Sequence, residues 1–167
     1  MDVLWAPWRM TYILEEEKPP GCIFCLAGDG VGADGLVLGV SRHSVAMMNK
    51  FPYNNGHLLI APRRHLADLA ELSREELMDL MEMLKLAIAA LKKEMNPDGF
   101  NVGLNLGRVA GAGIEEHLHY HVVPRWNGDH NFMTVLGEVR VIPEHIKATQ
   151  ARLAPHFAHL KPDQGVA

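Results

Sequence analysis

The chain has 167 residues, a formal net charge of −4, and a composition that is 48% hydrophobic and 22% charged. That length fits one domain, or one domain with terminal extensions, and closes a core without disulfide staples. A mildly acidic balance argues against a nucleic-acid polymer as partner, no apolar run approaches a membrane span, and the N-terminus lacks a signal-peptide pattern. A cytoplasmic protein is therefore expected. Ten histidines stand against two cysteines, so histidine is the residue type to follow.

Residues 1–20 form an aromatic, proline-containing arm that ends in Lys18-Pro19-Pro20. Next comes Cys22-Ile23-Phe24-Cys25. In a reducing compartment such a pair is half a metal site or a redox couple. A redox couple is expected to open a helix, whose N-terminus acidifies the thiol. Leu26-Ala27-Gly28-Asp29-Gly30 reads as a loop instead, which favours half a zinc site still short of two ligands. The glycine-rich stretch from Gly28 to Gly35 is a turn or loop.

Residues 36–40 and 44–49 read as strands. Pro52-Tyr53-Asn54-Asn55-Gly56 is a turn, and His57-Leu58-Leu59-Ile60-Ala61-Pro62 is a third strand, giving an antiparallel meander. Ser73-Arg74-Glu75-Glu76 is a capping box. Behind it Leu77, Met81, Leu84, Ile88 and Leu91 recur at helical spacing, as a core-facing stripe, until Asn96-Pro97-Asp98-Gly99 stops the run. Residues 100–105 and 118–123 read as two more strands. A last helix is expected from Pro143 towards Leu160, with proline in its first turn. The order describes an α+β domain: a sheet, one long helix crossing it, and an appended C-terminal helix.

His117-Leu118-His119-Tyr120-His121 carries the chemistry. Alternate strand residues share a face, so three imidazoles about 6–7 Å apart would line one side while Leu118, Tyr120 and Val122 pack on the other. A solvated strand face in a histidine-rich protein is the plainer reading of spacing alone. Context adds to it. Gly107, Gly111 and Gly113 lie upstream, where a glycine-rich backbone can aim its N–H groups at phosphate oxygens. Pro124-Arg125 places a positive charge downstream. An anion loop feeding a histidine-lined strand fits phosphoryl or nucleotidyl transfer, where imidazole is a competent nucleophile. A catalytic three-histidine metal site fits less well, because three consecutive same-face residues span too far for one tetrahedral ion.

These residues resemble the histidine triad nucleotide-binding proteins. The signature is His117-Leu118-His119-Tyr120-His121-Val122-Val123, joined by Asn55-Gly56-His57-Leu58-Leu59-Ile60-Ala61-Pro62 and Gly103-Leu104-Asn105-Leu106-Gly107, and the likeness covers roughly residues 21–126. It implies an antiparallel five-stranded sheet that pairs into a ten-stranded sheet in a homodimer, or a tetramer built from it. It also implies domain limits: an arm over 1–20, the histidine triad domain over 21–132, and a C-terminal extension with a helix over 133–167.

For the site, the resemblance implies His119 as nucleophile, His117 holding the tautomer of His119 through a backbone contact, His121 on phosphate oxygens, and His57 supporting the array. Asn49 corresponds to an asparagine near the ribose. Asn105 and the backbone of Gly111, Gly113 and Ile114 correspond to a phosphate-binding turn. Zinc in such proteins is held by the counterparts of Cys22, Cys25, His65 and His117, as a structural ion. The phosphoramidase branch carries Gln-Ser-x-x-His where this chain has Gly113-Ile114-Glu115-Glu116-His117, and isoleucine has no hydroxyl to offer an amine leaving group.

The arm over residues 4–12, Pro124-Arg125-Trp126 and Gly128-Asp129-His130-Asn131-Phe132 are similar to a bacterial group that cleaves diadenosine tetraphosphate by phosphorolysis, although His130 departs from it. The implied function is cleavage of a dinucleoside polyphosphate at the α-phosphate through a covalent nucleotidyl-histidine, with inorganic phosphate or water as acceptor. The alternatives are a purine nucleoside phosphoramidase or a nucleotide-binding protein with little catalysis. Trp5, Trp8 and Trp126 are expected as core or subunit contacts.

Overall fold

The meander expected from the strand pattern forms, and two later strands complete it. A computed structural model describes residues 21–30, 35–129 and 142–160. The N-terminal arm with Trp5 and Trp8, residues 31–34 of the glycine-rich stretch, His130 and its following residues, and the last seven residues lie outside the described part. In chain order the elements are helix α1 (Ile23–Gly28), β1 (Val37–Val40), β2 (Ser44–Met48), β3 (Leu58–Pro62), helix α2 (Arg74–Met95), β4 (Gly99–Leu104), β5 (Tyr120–Arg125) and helix α3 (Ile146–Leu153). Short 3-10 turns cover Leu69–Glu71, Arg108–Ala110 and Ala154–Phe157.

The sheet has the order β1-β2-β3-β5-β4, with every neighbouring pair antiparallel. β2 and β3 are buried along their whole length, because both sheet faces are covered. Leu58, Ile60 and Val122 point into the larger core beneath α2 and α3, with Leu80, Leu91, Leu153 and Phe157. Leu59 and Ala61 point the other way, onto Phe24 and Ala27 of α1. Two-residue periodicity therefore sorts β3 between two cores. It also sends Tyr120 and Val122 to the long helix, which leaves His121 on the α1 face.

α2 is the 22-residue helix that the capping box announced. Ser73 Oγ accepts the Glu76 N–H at 3.2 Å and Glu76 Oε2 accepts the Ser73 N–H at 2.8 Å. Arg64 donates to both oxygens of Glu76 at 2.8 and 2.9 Å, and these bonds lower the Glu76 carboxyl to about 2. The buried stripe differs from the expected one. Leu80, Met83, Ala87, Ala90 and Leu91 face the sheet, while Leu77 is 40% exposed and Met81, Leu84 and Ile88 flank the core. At 100° per residue this is a rotation of about a quarter turn. Ala87 and Ala90 permit close approach of helix to sheet, and packing chose the small residues over the larger apolar row.

Two other expectations need correction. Residues 26–30 were expected as a loop, but α1 runs from Ile23 to Gly28, with Cys22 as its N-cap. Phe24 and Ala27 are fully buried, so tertiary burial stabilises a helix too short to persist alone. The C-terminal helix starts at Ile146, behind an His145 cap, and not at Pro143. Pro155 instead sits inside the 3-10 turn that follows it.

Gly56 closes the turn into β3 with φ +75, and a Cβ there would lie 2.6 Å from Met95 Sδ. Left-handed strain and overpacking then act together. Gly56→Ala is expected to cost about 2–4 kcal/mol, read as a lower urea midpoint at unchanged m value; a midpoint within error of the parent would refute this account of the turn.

Candidate active site and metal centre

His119 lies just ahead of β5 and is buried. Its Nδ1 stands 2.8 Å from the carbonyl oxygen of His117. A carbonyl only accepts, so this contact assigns the proton to Nδ1 and leaves the lone pair on Nε2. The ring stacks on Phe24, with centroids 4.9 Å apart and planes inclined by 29°. Burial lowers the His119 pKa, against the opposing pull of the His117 carbonyl, and so keeps the imidazole neutral.

His121 sits opposite Gly103 of β4 and Leu59 of β3. Its ring centroid is 5.0 Å from that of His119, closer than the strand spacing alone predicts. His121 Nδ1 and His57 Nε2 are 2.9 Å apart. The direction of that bond follows from the other side of His57, which is fully buried. The Tyr53 N–H donates to His57 Nδ1 at 2.9 Å. Asn49 Oδ1 accepts from the Phe51 N–H at 2.9 Å, which turns Asn49 Nδ2 towards His57 Nδ1 at 3.2 Å. Nδ1 of His57 is thus an acceptor, its proton is on Nε2, and it donates to His121 Nδ1. A neutral His121 then carries its own proton on Nε2. The two triad histidines have opposite characters: His119 offers a lone pair, His121 an N–H.

The three imidazoles share the α1 face as expected, but not as a regular strand row. β5 begins at Tyr120, so His117 and His119 precede the ladder, and the Leu118 N–H bonds to Leu66 instead. Phe24 contacts both His117 and His119, at 5.1 and 4.9 Å. Asn49 supports His57 at its buried edge. Asn105 Nδ2 donates to the Gly111 carbonyl at 3.4 Å, stapling a loop in which Gly107 and Gly111 take φ 78 and 89. Ile114 packs on the α1 cluster with Cys22 and Ile23. The Arg125 charge, expected to serve an anion, is held by Asp129 at 2.6 and 2.8 Å. Trp126 donates to the Met95 carbonyl at the end of α2.

On the other side of Phe24 lies a second cluster. The ligating atoms of Cys22, Cys25, His65 and His117 all lie within 4.8 Å of one another. His117 Nδ1 is 3.2 Å from Cys22 Sγ, 3.7 Å from Cys25 Sγ and 3.2 Å from His65 Nδ1, and Cys25 Sγ is 3.4 Å from His65 Nδ1. Bonds of zinc length at tetrahedral angles put ligand atoms about 3.3–3.8 Å apart. His117 Nε2 donates to the Pro62 carbonyl at 2.8 Å, so Nδ1 presents its lone pair inward, the outer hydrogen bond that a ligating histidine needs. Burial pushes the His117 pKa down to about 4 and the Cys25 thiol up to about 11, the latter with help from the adjacent Cys22. The donor set fits a tetrahedral, soft-to-borderline divalent ion. The pair does open a helix, against expectation; what favours a metal is the presence of two histidines.

Residues 32–128 match the family profile of the HIT, or histidine triad, domain. The chain belongs to the HIT family. It is 40% identical over 163 residues to an AP-4-A phosphorylase of Mycobacterium tuberculosis, covering 93% of this chain and 84% of that one. It is 31% identical over 127 residues to the adenosine 5'-monophosphoramidase hnt1 of Schizosaccharomyces pombe, covering 76% and 91%. Its fold also matches the crystal structure of a zinc-bound histidine triad family protein from Mycobacterium smegmatis, with a TM-score of 0.66, 25% identity, and 83% and 94% of the two chains covered. This HIT protein is an enzyme of the family's hydrolase and transferase type. Among the described residues, no helix is long and apolar enough to cross a membrane.

Sequence reasoning missed the two aromatic residues that hold the HIT histidines. Phe24 stacks on His119, and Tyr53 stacks on His121 at 5.6 Å and leans on His57 at 4.7 Å. Their signals were present: a phenylalanine inside the cysteine pair and a tyrosine four residues before His57. For the second cluster, elemental analysis of the purified protein is expected to find about one divalent ion per chain, lost in Cys25→Ser and His65→Ala. Metal content unchanged by both substitutions would show that any ion sits elsewhere.

Proposed function

We propose that this chain cleaves dinucleoside polyphosphates of the diadenosine tetraphosphate kind at an α-phosphate, by way of a nucleotidyl-histidine. One observation carries the reading: a lone pair on His119 Nε2 beside an N–H on His121 Nε2. His119 Nε2 attacks the α-phosphorus as the bond to the departing polyphosphate oxygen breaks. The imidazole becomes cationic, and the His117 carbonyl on Nδ1–H stabilises that charge. His121 hydrogen-bonds the leaving or equatorial oxygens through Nε2–H, and the His57 Nε2–H that donates to His121 Nδ1 keeps that proton in place. Inorganic phosphate or water then attacks the phosphorus and regenerates neutral His119. Orientation against a ring fixed by Phe24 supplies much of the acceleration, and the backbone of Gly111, Gly113 and Ile114 cradles the nucleotide phosphate near Asn105.

Phosphorolysis is favoured by the 40% identity to an AP-4-A phosphorylase over nearly the whole chain. Ile114 and Glu115, with no serine at this position, disfavour phosphoramidase chemistry. Cys22, Cys25, His65 and His117 would hold zinc as a structural ion, since two thiolates and two imidazoles would supply a full set of protein ligands. A homodimer forms along the β4 edge, where Val102 is 41% exposed on a strand that, among the described residues, has one unpaired side. Unpaired edges of this kind seek a partner. Sedimentation showing only monomer at micromolar concentration would exclude that dimer.

His119→Ala is expected to lower turnover of diadenosine tetraphosphate at least about a thousandfold. Products separate the acceptors: ADP plus ATP when inorganic phosphate is supplied, against AMP plus ATP whether or not it is present. Undiminished turnover in His119→Ala would overturn the covalent route, and AMP under both conditions would overturn phosphorolysis.

A further inference from the structure

The turn that delivers His57 to the sheet is tied down from two directions. Asn54 reaches one way, donating to the Pro124 carbonyl at 3.2 Å and to Asp129 Oδ2 at 2.9 Å. Asn55 reaches the other way, into the C-terminal segment beyond the family match, which ends at residue 128. Asn55 Oδ1 lies 3.2 Å from Thr149 Oγ1, and the same hydroxyl lies 2.7 Å from Glu144 Oε2. The Thr149 hydroxyl, with Arg152 and Asn55 nearby, holds the Glu144 carboxyl below its ordinary value. Arg152 pairs with Glu144 at 3.1 Å, so the charge at the open end of the cluster is neutralised.

Thr149 and Asn55 are both buried. A valine would fill the place of Thr149 with the same shape and no polar atom to satisfy. A buried hydroxyl and amide cost stability unless they are bonded, and here the single Thr149 hydroxyl proton is shared between the Glu144 carboxylate at 2.7 Å and Asn55 Oδ1 at 3.2 Å. That turn performs one definable task. The Tyr53 N–H donates to His57 Nδ1, and the His57 N–H bonds back to the Asn54 carbonyl at 3.2 Å. The donor on Nδ1 is what holds the His57 proton on Nε2, facing His121.

We propose that Thr149 and Glu144 of the C-terminal segment are positioning residues, holding Asn55 so that the turn keeps His57 in one tautomer and His121 as the N–H donor. The proposal rests on the reading above in which His121 donates to the substrate. Together with Asn54 and the packing of Gly56 against α2, this second tether holds the turn and keeps the Tyr53 N–H in line with His57 Nδ1. Helix α3 thus acts on the reaction through Asn55, Tyr53, His57 and His121 in turn.

The test uses the full chain labelled with 15N-histidine. Long-range proton–nitrogen correlations read the His57 tautomer, and turnover of diadenosine tetraphosphate reads the consequence. Thr149→Val is expected to replace the single His57 tautomer by an averaged pair of nitrogen shifts. It should lower kcat about tenfold with KM held within about twofold. Thr149→Ser restores both. Glu144→Ala, at a less buried position, moves both readouts the same way by a smaller factor and serves if the valine variant folds poorly. Parent-like His57 shifts in Thr149→Val, or a fall in kcat that serine does not rescue, would overturn the clamp. A parent chain without turnover would overturn the proposed chemistry, and the nitrogen shifts would still judge the clamp.

Discussion

The hydrogen bond between His119 Nδ1 and the carbonyl of His117 is the contact on which the site turns. It is made within two residues, so it needs the chain to leave the β5 ladder before Tyr120. It also needs His117 to be held from elsewhere, because a carbonyl on a free loop would not keep one orientation. His117 is held by its own side chain, through the Pro62 carbonyl on Nε2 and the cysteine–histidine cluster on Nδ1. One residue therefore serves the candidate metal cluster with its ring and the proposed nucleophile with its backbone. The division explains why the triad is not a row of equal imidazoles.

Burial sets the protonation states that the arrangement requires. His119 and His117 are removed from water, which disfavours their charged forms, and His57 is wholly enclosed. Each neutral ring must then place one proton and one lone pair, and the surrounding backbone decides where. The Tyr53 N–H and the Asn49 amide face His57 with donors; the carbonyls of His117 and Pro62 face the other two with acceptors. Directional choices made by backbone groups leave a lone pair on His119 and an N–H on His121, with ring centroids 5.0 Å apart. Phe24 and Tyr53 add stiffness by stacking, which restrains ring rotation that hydrogen bonds alone would permit.

The sheet allows this because it is sandwiched. The larger core under α2 and α3 takes Tyr120 and Val122, and the smaller one takes Leu59, Ala61 and α1. The histidine face is therefore the α1 face, and the cysteine pair arrives on the same side as the residues it serves. The C-terminal helix belongs to the opposite core, yet through Thr149 and Asn55 it reaches the turn that feeds His57. Both layers of the domain thus bear on the same three rings.

Much of this could be read before any coordinates. Period-two alternation marked the strands, the Ser73–Glu76 box marked the start of α2, and the histidine spacing with Asn105, the glycines and His57 marked the family and the site. The cysteine pair marked half a metal site, and the family resemblance supplied His65 and His117 as the other two candidates. Those features are local: they depend on residue type, spacing and backbone preference, which are written in a short stretch of chain. What the tertiary structure decided is long-range. It rotated the buried stripe of α2 onto Ala87 and Ala90, formed α1 where local signals read loop, and took Arg125 for Asp129. It also set Phe24 between His117 and His119, and assigned each proton on His57, His119 and His121. The reason is physical: burial, stacking and hydrogen-bond direction depend on which surfaces meet across the fold, and no run of neighbouring residues specifies that meeting alone.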